Sequence, residues 1–247
     1  MNAIALIPAR LAATRFPSKL LALIKGKTVI RRTYESVLST GIFSDVIVVS
    51  DSQEIINEIK RHGGKAVRSI GVYESGTDRI AEVAASLDAD IIVNIQGDEP
   101  FVQKAPLELL LNLFNGVEGS NVQVASLVQP LTDRDLISDP NYVKVALDLK
   151  CNALFFSRSV IPFPRNPSVE IHYYEHIGVY AFRRQALMEF TSWPETHLEA
   201  IEKVECLRFL EHGVPIRMGI TKYMGVEIDT PEDLVKAEKL MDVMGWE

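Results

Sequence analysis

Cysteine is almost missing: Cys151 and Cys206 are the two in a chain of 247 residues. That is too few for a disulfide framework, and their separation has no metal-ligand spacing. Basic charge is also in deficit, since 26 Lys and Arg against 33 Asp and Glu leave a net charge of −7. A nucleic-acid polymer is excluded as the main partner, because such binding needs a basic footprint. No apolar run approaches the roughly 20 residues of a membrane span. The N-terminus runs straight into a strand pattern without a signal-peptide apolar core. The expectation is a cytoplasmic protein with no membrane partner. Two glycine-rich phosphate cradles are absent too, GxxxxGK followed by Ser or Thr, and GxGxxG, so any phosphate site must be built from side chains and scattered backbone N–H groups.

What is present is an alternating α/β pattern. Ala3 to Ile7 is a short continuous apolar run that reads as a buried strand ending at Pro8, which has no N–H for a ladder. Val29, Ile30, Tyr34, Val37 and Leu38 recur at helical spacing before Gly41; Val46 to Val49 is a strand; Ile55, Ile56 and Ile59 mark a helix closed by Gly63-Gly64. Lys65 to Val67, a helix over Thr77 to Leu87 and the contiguous apolar strand Asp90 to Ile95 continue the rhythm. Such a run predicts a doubly wound, mostly parallel sheet, Rossmann-like, with both faces covered. Further strands are expected over 122–127, 142–147, 153–156, 173–182 and 214–220, and one long helix over His197 to Leu210 with Ile201 facing the core and Glu199, Glu202 and Glu205 on a solvated side. No composition break marks a linker, so a single domain with a smaller inserted region over about 128–220 is expected.

Charged residues fall at strand ends. Arg10, Arg15 and Lys19 share the loop after the first strand, the edge at which open α/β sheets bind ligands, and their spacing suits a polyanion. Solvated loop charges would read the same way, so partners elsewhere must decide. Gln96-Gly97-Asp98-Glu99-Pro100 leaves the fourth strand at the same edge. Asp98 is a candidate Mg²⁺ ligand, since that ion is held by one or two carboxylates together with substrate phosphates; a plain Asp-Glu-Pro turn accounts for the stretch equally well. In Asp229-Thr230-Pro231-Glu232-Asp233, Thr230 suits an N-cap, Pro231 the first helical position, and the two acids the positive end of the helix dipole. Asp229 is spare for a metal. His176, Gly178 and Tyr180 alternate along one strand and should share a face.

Six ordered stretches together resemble the 3-deoxy-manno-octulosonate cytidylyltransferases, or CMP-Kdo synthetases: Ile7 to Lys19, Ser75 to Arg79, Asn94 to Pro100, Phe156-Ser157-Arg158, His176 to Tyr180 and Asp229 to Asp233. The resemblance spans essentially the whole chain. It implies cytidylyl transfer from CTP to 3-deoxy-D-manno-octulosonate (Kdo) for lipopolysaccharide biosynthesis, in a cytoplasmic, Mg²⁺-dependent homodimer whose inserted region serves sugar binding and dimerisation. Carried over by residue, it implies catalytic roles for Arg10, Lys19, Asp98 and Asp229, with Asp98 and Asp229 as metal ligands. Arg10, Arg15, Lys19, Ser75, Arg79, Gln96 and Asp98 would bind CTP, and Gln96, Arg158, His176, Tyr180 and Glu205 the sugar acid. The chain also departs from the family pattern, with Ser18 and Leu20 around Lys19, Tyr73-Glu74 ahead of Ser75, and Cys206 where a Gln is usual. A thiol is a poor hydrogen-bond partner beside an amide. A modified Kdo or another ulosonic acid therefore stays open as substrate, and a non-catalytic nucleotide-binding homologue is the alternative of a different class.

Overall fold

The protein is described as a computed structural model over residues 1–11, 16–71, 73, 75–166, 168–222 and 225–246. Two compact units make up the chain, one of Met1–Lys104 with Met224–Glu247 and the other of Ala105–Tyr223.

The first unit opens with β1 (Ala3–Ala9), a 3-10 turn (Lys19–Leu21), the short hairpin β2 (Leu23–Ile24) and β3 (Lys27–Thr28), and α1 (Val29–Ser39). It continues with β4 (Asp45–Ser50), α2 (Gln53–Arg61), β5 (Ala66–Arg68), α3 (Gly76–Ala84) and β6 (Ile91–Asn94). The strands lie in the order β6, β1, β4, β5, all parallel. Both β1 and β6 are buried at every residue, as their unbroken apolar runs require. Three helices begin on a hydroxyl cap: Thr28 accepts from the Arg31 N–H, Ser52 from Ile55 and Ser75 from Asp78.

Pro8 does not end β1, contrary to the sequence expectation; it pairs with Val49, and Ala9 with Ser50. The Leu6 carbonyl points to β6 and accepts from Ile95 N. Pro8, two residues on, points the same way at a level where the β6 ladder has already ended at Asn94. No donor is missed there, so the strand tolerates proline.

The second unit follows with α4 (Lys104–Asn112), α5 (Gly116–Gly119), β7 (Val124–Leu131), α6 (Arg134–Ser138), β8 (Lys144–Leu147), β9 (Ala153–Ser157) and β10 (Tyr173–Arg183). Then come α7 (Arg184–Ser192), α8 (His197–Glu202), α9 (Leu207–Glu211) and β11 (Ile216–Ile220). Its strands pair in the order β11, β7, β10, β8, β9, with β11 parallel to β7 and the other pairs antiparallel. This unit begins well before residue 128, because α4 and α5 belong with it.

The long helix expected over 197–210 is two helices. Lys203 takes φ 52°, ψ 47° at the end of α8, and the chain turns before α9. The expected faces are wrong as well: Ile201 is 63% exposed, whereas Glu199 is 5% exposed. The reason is an ion pair, Arg208 Nη2 to Glu199 Oε1 at 2.5 Å with Nε to Oε2 at 2.7 Å, and the Phe190 ring lies 4.0 Å from the guanidinium. A charge is buried when it is paired and hydrogen-bonded, and apolar periodicity alone cannot see the pair.

The chain closes with α10 (Pro231–Met244) in the first unit, capped by Thr230 and Asp233 reciprocally as the sequence indicated.

Candidate active site

In the first unit the ligand-binding edge of the parallel sheet gathers three chain segments. Ser18 adopts φ 56°, and the 3-10 turn after it carries Lys19. The exit from β6 carries Gln96 and Asp98; the Thr33 hydroxyl donates to the Gly97 carbonyl at 2.9 Å. Any Cβ at Gly97 would lie 3.0 Å from the Pro8 carbonyl oxygen, so glycine lets the two strand exits approach. The segment leading to α10 is the third. Ile228 N donates to the Asp98 carbonyl at 3.0 Å, and Gly225, at φ 127°, passes where a Cβ would lie 2.7 Å from Phe101 Cβ.

These constraints bring Asp98 and Asp229 together. Lys19 Nζ lies 2.5 Å from Asp98 Oδ2 and 2.8 Å from Asp229 Oδ1. Burial by itself would lower the pKa of the Lys19 ammonium, but the two carboxylates outweigh it and the value is raised. Glu227, which sequence reasoning did not single out, brings a third carboxylate: one oxygen each from Asp98, Glu227 and Asp229 lie within 4.8 Å of one another. Its only signal in the sequence is an acid two positions before Asp229, in an extended stretch where alternate side chains share a side. A set of oxygen donors this close, with a lysine ammonium already shared by two of them, is a set that fits a small hard divalent cation.

Other expected nucleotide-side residues have defined places. Arg10 is exposed just beyond β1. Arg15 and Glu74 lie outside the described residues. Ser75 Oγ accepts from Asp78 N and donates to Asp78 Oδ2, so it serves as the α3 cap. Arg79, expected to bind CTP, is 4% exposed; it pairs with Asp51 at 2.9 Å and donates to Ser69 Oγ at 2.5 Å. Tyr73 stacks beside it with the guanidinium 5.9 Å from the ring centre. Gln96 Nε2 donates to Asn94 Oδ1 at 3.3 Å, and buried Asn94 donates to Thr77 at 3.2 Å. Arg79 thus joins the carboxyl ends of β4 and β5 to α3, a supporting role that sequence reasoning missed.

The second unit holds the expected sugar-side residues other than Gln96, and around His176 the side chains are neutral. His176 lies between Phe156, with ring centres 5.0 Å apart, and Tyr180, at 5.2 Å. The expected shared face for His176 and Tyr180 is present, though not through plain alternation, because β10 bulges between Ile177 and Tyr180. His176 Nε2 is 3.1 Å from the Ser126 hydroxyl. Burial pushes the imidazole pKa down to about 3. The Tyr180 hydroxyl is buried, which raises its pKa, and it is hydrogen-bonded to the Cys206 thiol, itself raised by burial. Glu205 adds negative charge beside both. Arg158 is anchored rather than loose: its backbone N–H donates to Glu202 Oε2 at 2.9 Å, Nε to the Glu202 carbonyl at 2.8 Å and Nη1 to the Pro140 carbonyl at 2.8 Å. Glu202 also accepts from the Ser157 hydroxyl at 2.7 Å, so it is an anchor and not the solvated acid its spacing suggested.

A family model described as cytidylyltransferase matches residues 4–220. A 3-deoxy-manno-octulosonate cytidylyltransferase of Flavobacterium johnsoniae is 52% identical over 98% of this chain and 99% of its own length. One from Bacteroides thetaiotaomicron is 43% identical, covering 98% of each chain. A solved structure of CMP:2-keto-3-deoxy-manno-octonic acid synthetase complexed with CTP is 36% identical, with a TM-score of 0.93 over 99% of this chain and 100% of that one. A cytidylyltransferase structure from Leptospira borgpetersenii, 17% identical with a TM-score of 0.65 over 98% of this chain and 87% of that one, shares the fold. With its sequence matched over 98% of its length by these relatives and a mixed α/β architecture in common, the chain belongs to the 3-deoxy-manno-octulosonate cytidylyltransferase family.

Proposed function

We propose that this protein is a nucleotidyltransferase that transfers the cytidylyl group of CTP to Kdo, forming CMP-Kdo and pyrophosphate. The observation that carries the reading is the Lys19 ammonium held between Asp98 and Asp229, a cation and two carboxylates at the strand ends where a nucleotide binds. Binding of an uncharged ligand would need neither.

The anomeric hydroxyl of the sugar acid is a weak nucleophile, and the triphosphate is a crowded anion. Arg10 and Lys19 supply the positive charge that holds the phosphates in line for displacement of pyrophosphate. Asp98 and Asp229 would hold Mg²⁺, with Glu227 beside them. When bound, the ion would polarise the α-phosphate and lower the pKa of the attacking hydroxyl. No histidine base is then needed, which agrees with a His176 imidazole whose pKa, pushed down to about 3 by burial, leaves it a weak base. Arg158, His176, Tyr180 and Glu205 are the residues assigned to the sugar acid, with Gln96 assigned to both substrates.

The reading extends to a homodimer working in the cytoplasm, with its product destined for lipopolysaccharide. The free thiols Cys151 and Cys206 suit a reducing compartment, and the half-buried strand segment from Tyr173 to Glu175 leaves surface for a second copy. Among the described residues no helix is long and apolar enough to cross a membrane.

The test is pyrophosphate release. Turnover is expected with CTP, Kdo and Mg²⁺ together, to stop on chelation by EDTA, and to return when Mg²⁺ is restored. Silence with Kdo and with every related ulosonic acid would sink the reading, and turnover with a different nucleoside triphosphate would move it to another sugar nucleotidyltransferase.

A further inference from the structure

Ser126 lies on β7 opposite the point where β10 leaves regular pairing. Ile177 faces Leu127, and the next paired residue, Tyr180, faces Ser126, so Gly178 and Val179 are extra residues on the bulged strand. The fully buried Ser126 hydroxyl sits 2.8 Å from the Val179 carbonyl, 3.2 Å from the Ile177 carbonyl and 3.1 Å from His176 Nε2. A hydroxyl has one proton and two lone pairs, and carbonyl oxygens can only accept. Turned toward Nε2, the proton would leave the oxygen's lone pairs facing two carbonyls. Turned toward the carbonyls, it leaves Oγ to accept, and the matching partner is a protonated Nε2. All three contacts are attractive in that arrangement alone.

We infer that Ser126 is a positioning residue that fixes His176 as the Nε2–H tautomer, so that Nδ1 presents a bare lone pair and selects a hydroxyl of the sugar acid over its carboxylate. The inference rests on the Kdo-transfer reading for the ligand, but the tautomer stands on geometry. Nδ1 makes no hydrogen bond among the described residues. Thr196 Oγ1 is the one described buried side-chain polar atom without a partner, so Nδ1 is not among the sealed, unpartnered atoms. The ring is also held in place: Phe156 meets it in a T-shaped arrangement and Tyr180 at a tilt, and Tyr180 is tied to Cys206. With its pKa near 3, the imidazole gains no second proton at neutral pH that would let Nδ1 donate. A carboxylate offered to Nδ1 would meet lone pair against lone pair, whereas a sugar hydroxyl donates into it.

Two-bond ¹H–¹⁵N spectra of histidine-labelled protein read the tautomer directly, with His176 assigned by its loss in His176→Gln among the five histidines. The wild type is expected to show a protonated Nε2 and an unprotonated Nδ1. Ser126→Ala is expected to give a tautomer mixture and to raise KM for Kdo about tenfold, with kcat less affected and KM for CTP unmoved. A wild-type ring protonated on Nδ1, or an unchanged tautomer in Ser126→Ala, overturns the inference. Should Ser126→Ala fail to fold, the wild-type spectrum still decides, because it needs no variant of Ser126. Absence of turnover with every ulosonic acid would defeat the function reading while leaving the spectrum as expected, so the two failures are told apart.

Discussion

The charged cluster of the first unit and the aromatic cluster of the second solve opposite problems. Around Lys19, net charge is brought together from distant segments and left partly exposed, with side-chain exposures of 14% for Lys19 and 30% for Asp229. Around His176, charge is removed: the imidazole is held neutral, and the tyrosine and thiol are kept protonated by burial. The first arrangement suits a polyanion and a metal ion, whose recognition is Coulombic. The second suits a polyol, whose hydroxyls are told apart by which atom donates and which accepts. Specificity for the sugar should therefore depend on proton positions, and catalysis on the ionic cluster.

The sharpest way to break that contrast is Asp98→Asn. It keeps the shape but removes half of the paired charge, and it should lower turnover by about 10²–10³-fold while the thermal unfolding midpoint stays within a few degrees of wild type. Full activity would mean that the ionic cluster is structural. A smaller effect concerns acid stability. The folded pKa of His176, about 3, lies below its ordinary value of 6.5, so between those limits the unfolded chain binds the extra proton and stability rises with pH. The contribution is complete above about pH 6.5 and is lost as pH falls toward 3. Urea unfolding of His176→Gln across that window should show a shallower slope than wild type; parallel slopes would mean the ring is not held neutral. Smallest is Cys206→Ala, which leaves the buried Tyr180 hydroxyl without its sulfur acceptor and should cost about 1–3 kcal/mol in denaturant unfolding. A Cys206→Ala protein as stable as wild type would show that Tyr180 finds another partner.

The two regions also differ in how far sequence reveals them. Asp98 and Asp229 were legible because a strand end and a helix cap are local patterns, and each acid stands just outside a motif with its own physical reason. The parallel strands were legible because double-sided burial leaves an unbroken apolar run. Glu199 and Ile201 were misread because the Arg208 pair reverses the helix faces, and that pair is settled by tertiary packing beyond the turn at Lys203. Ser126 carries no sequence signal at all: its role depends on a bulge three strands further along the chain, between Ile177 and Tyr180. Pro8 misled for a related reason, since whether a missing N–H matters depends on how far the neighbouring strand extends.

Lys19 and Asp229 are 210 positions apart, and Gly225 and Ile228 guide the later segment into place beside Asp98. A ribosome making this chain from its N-terminus therefore releases the basic turn and the first acid long before the second acid exists. Asp229 must be made before any nascent copy can act, so a chain that has not yet reached it cannot consume nucleotide while it waits to fold.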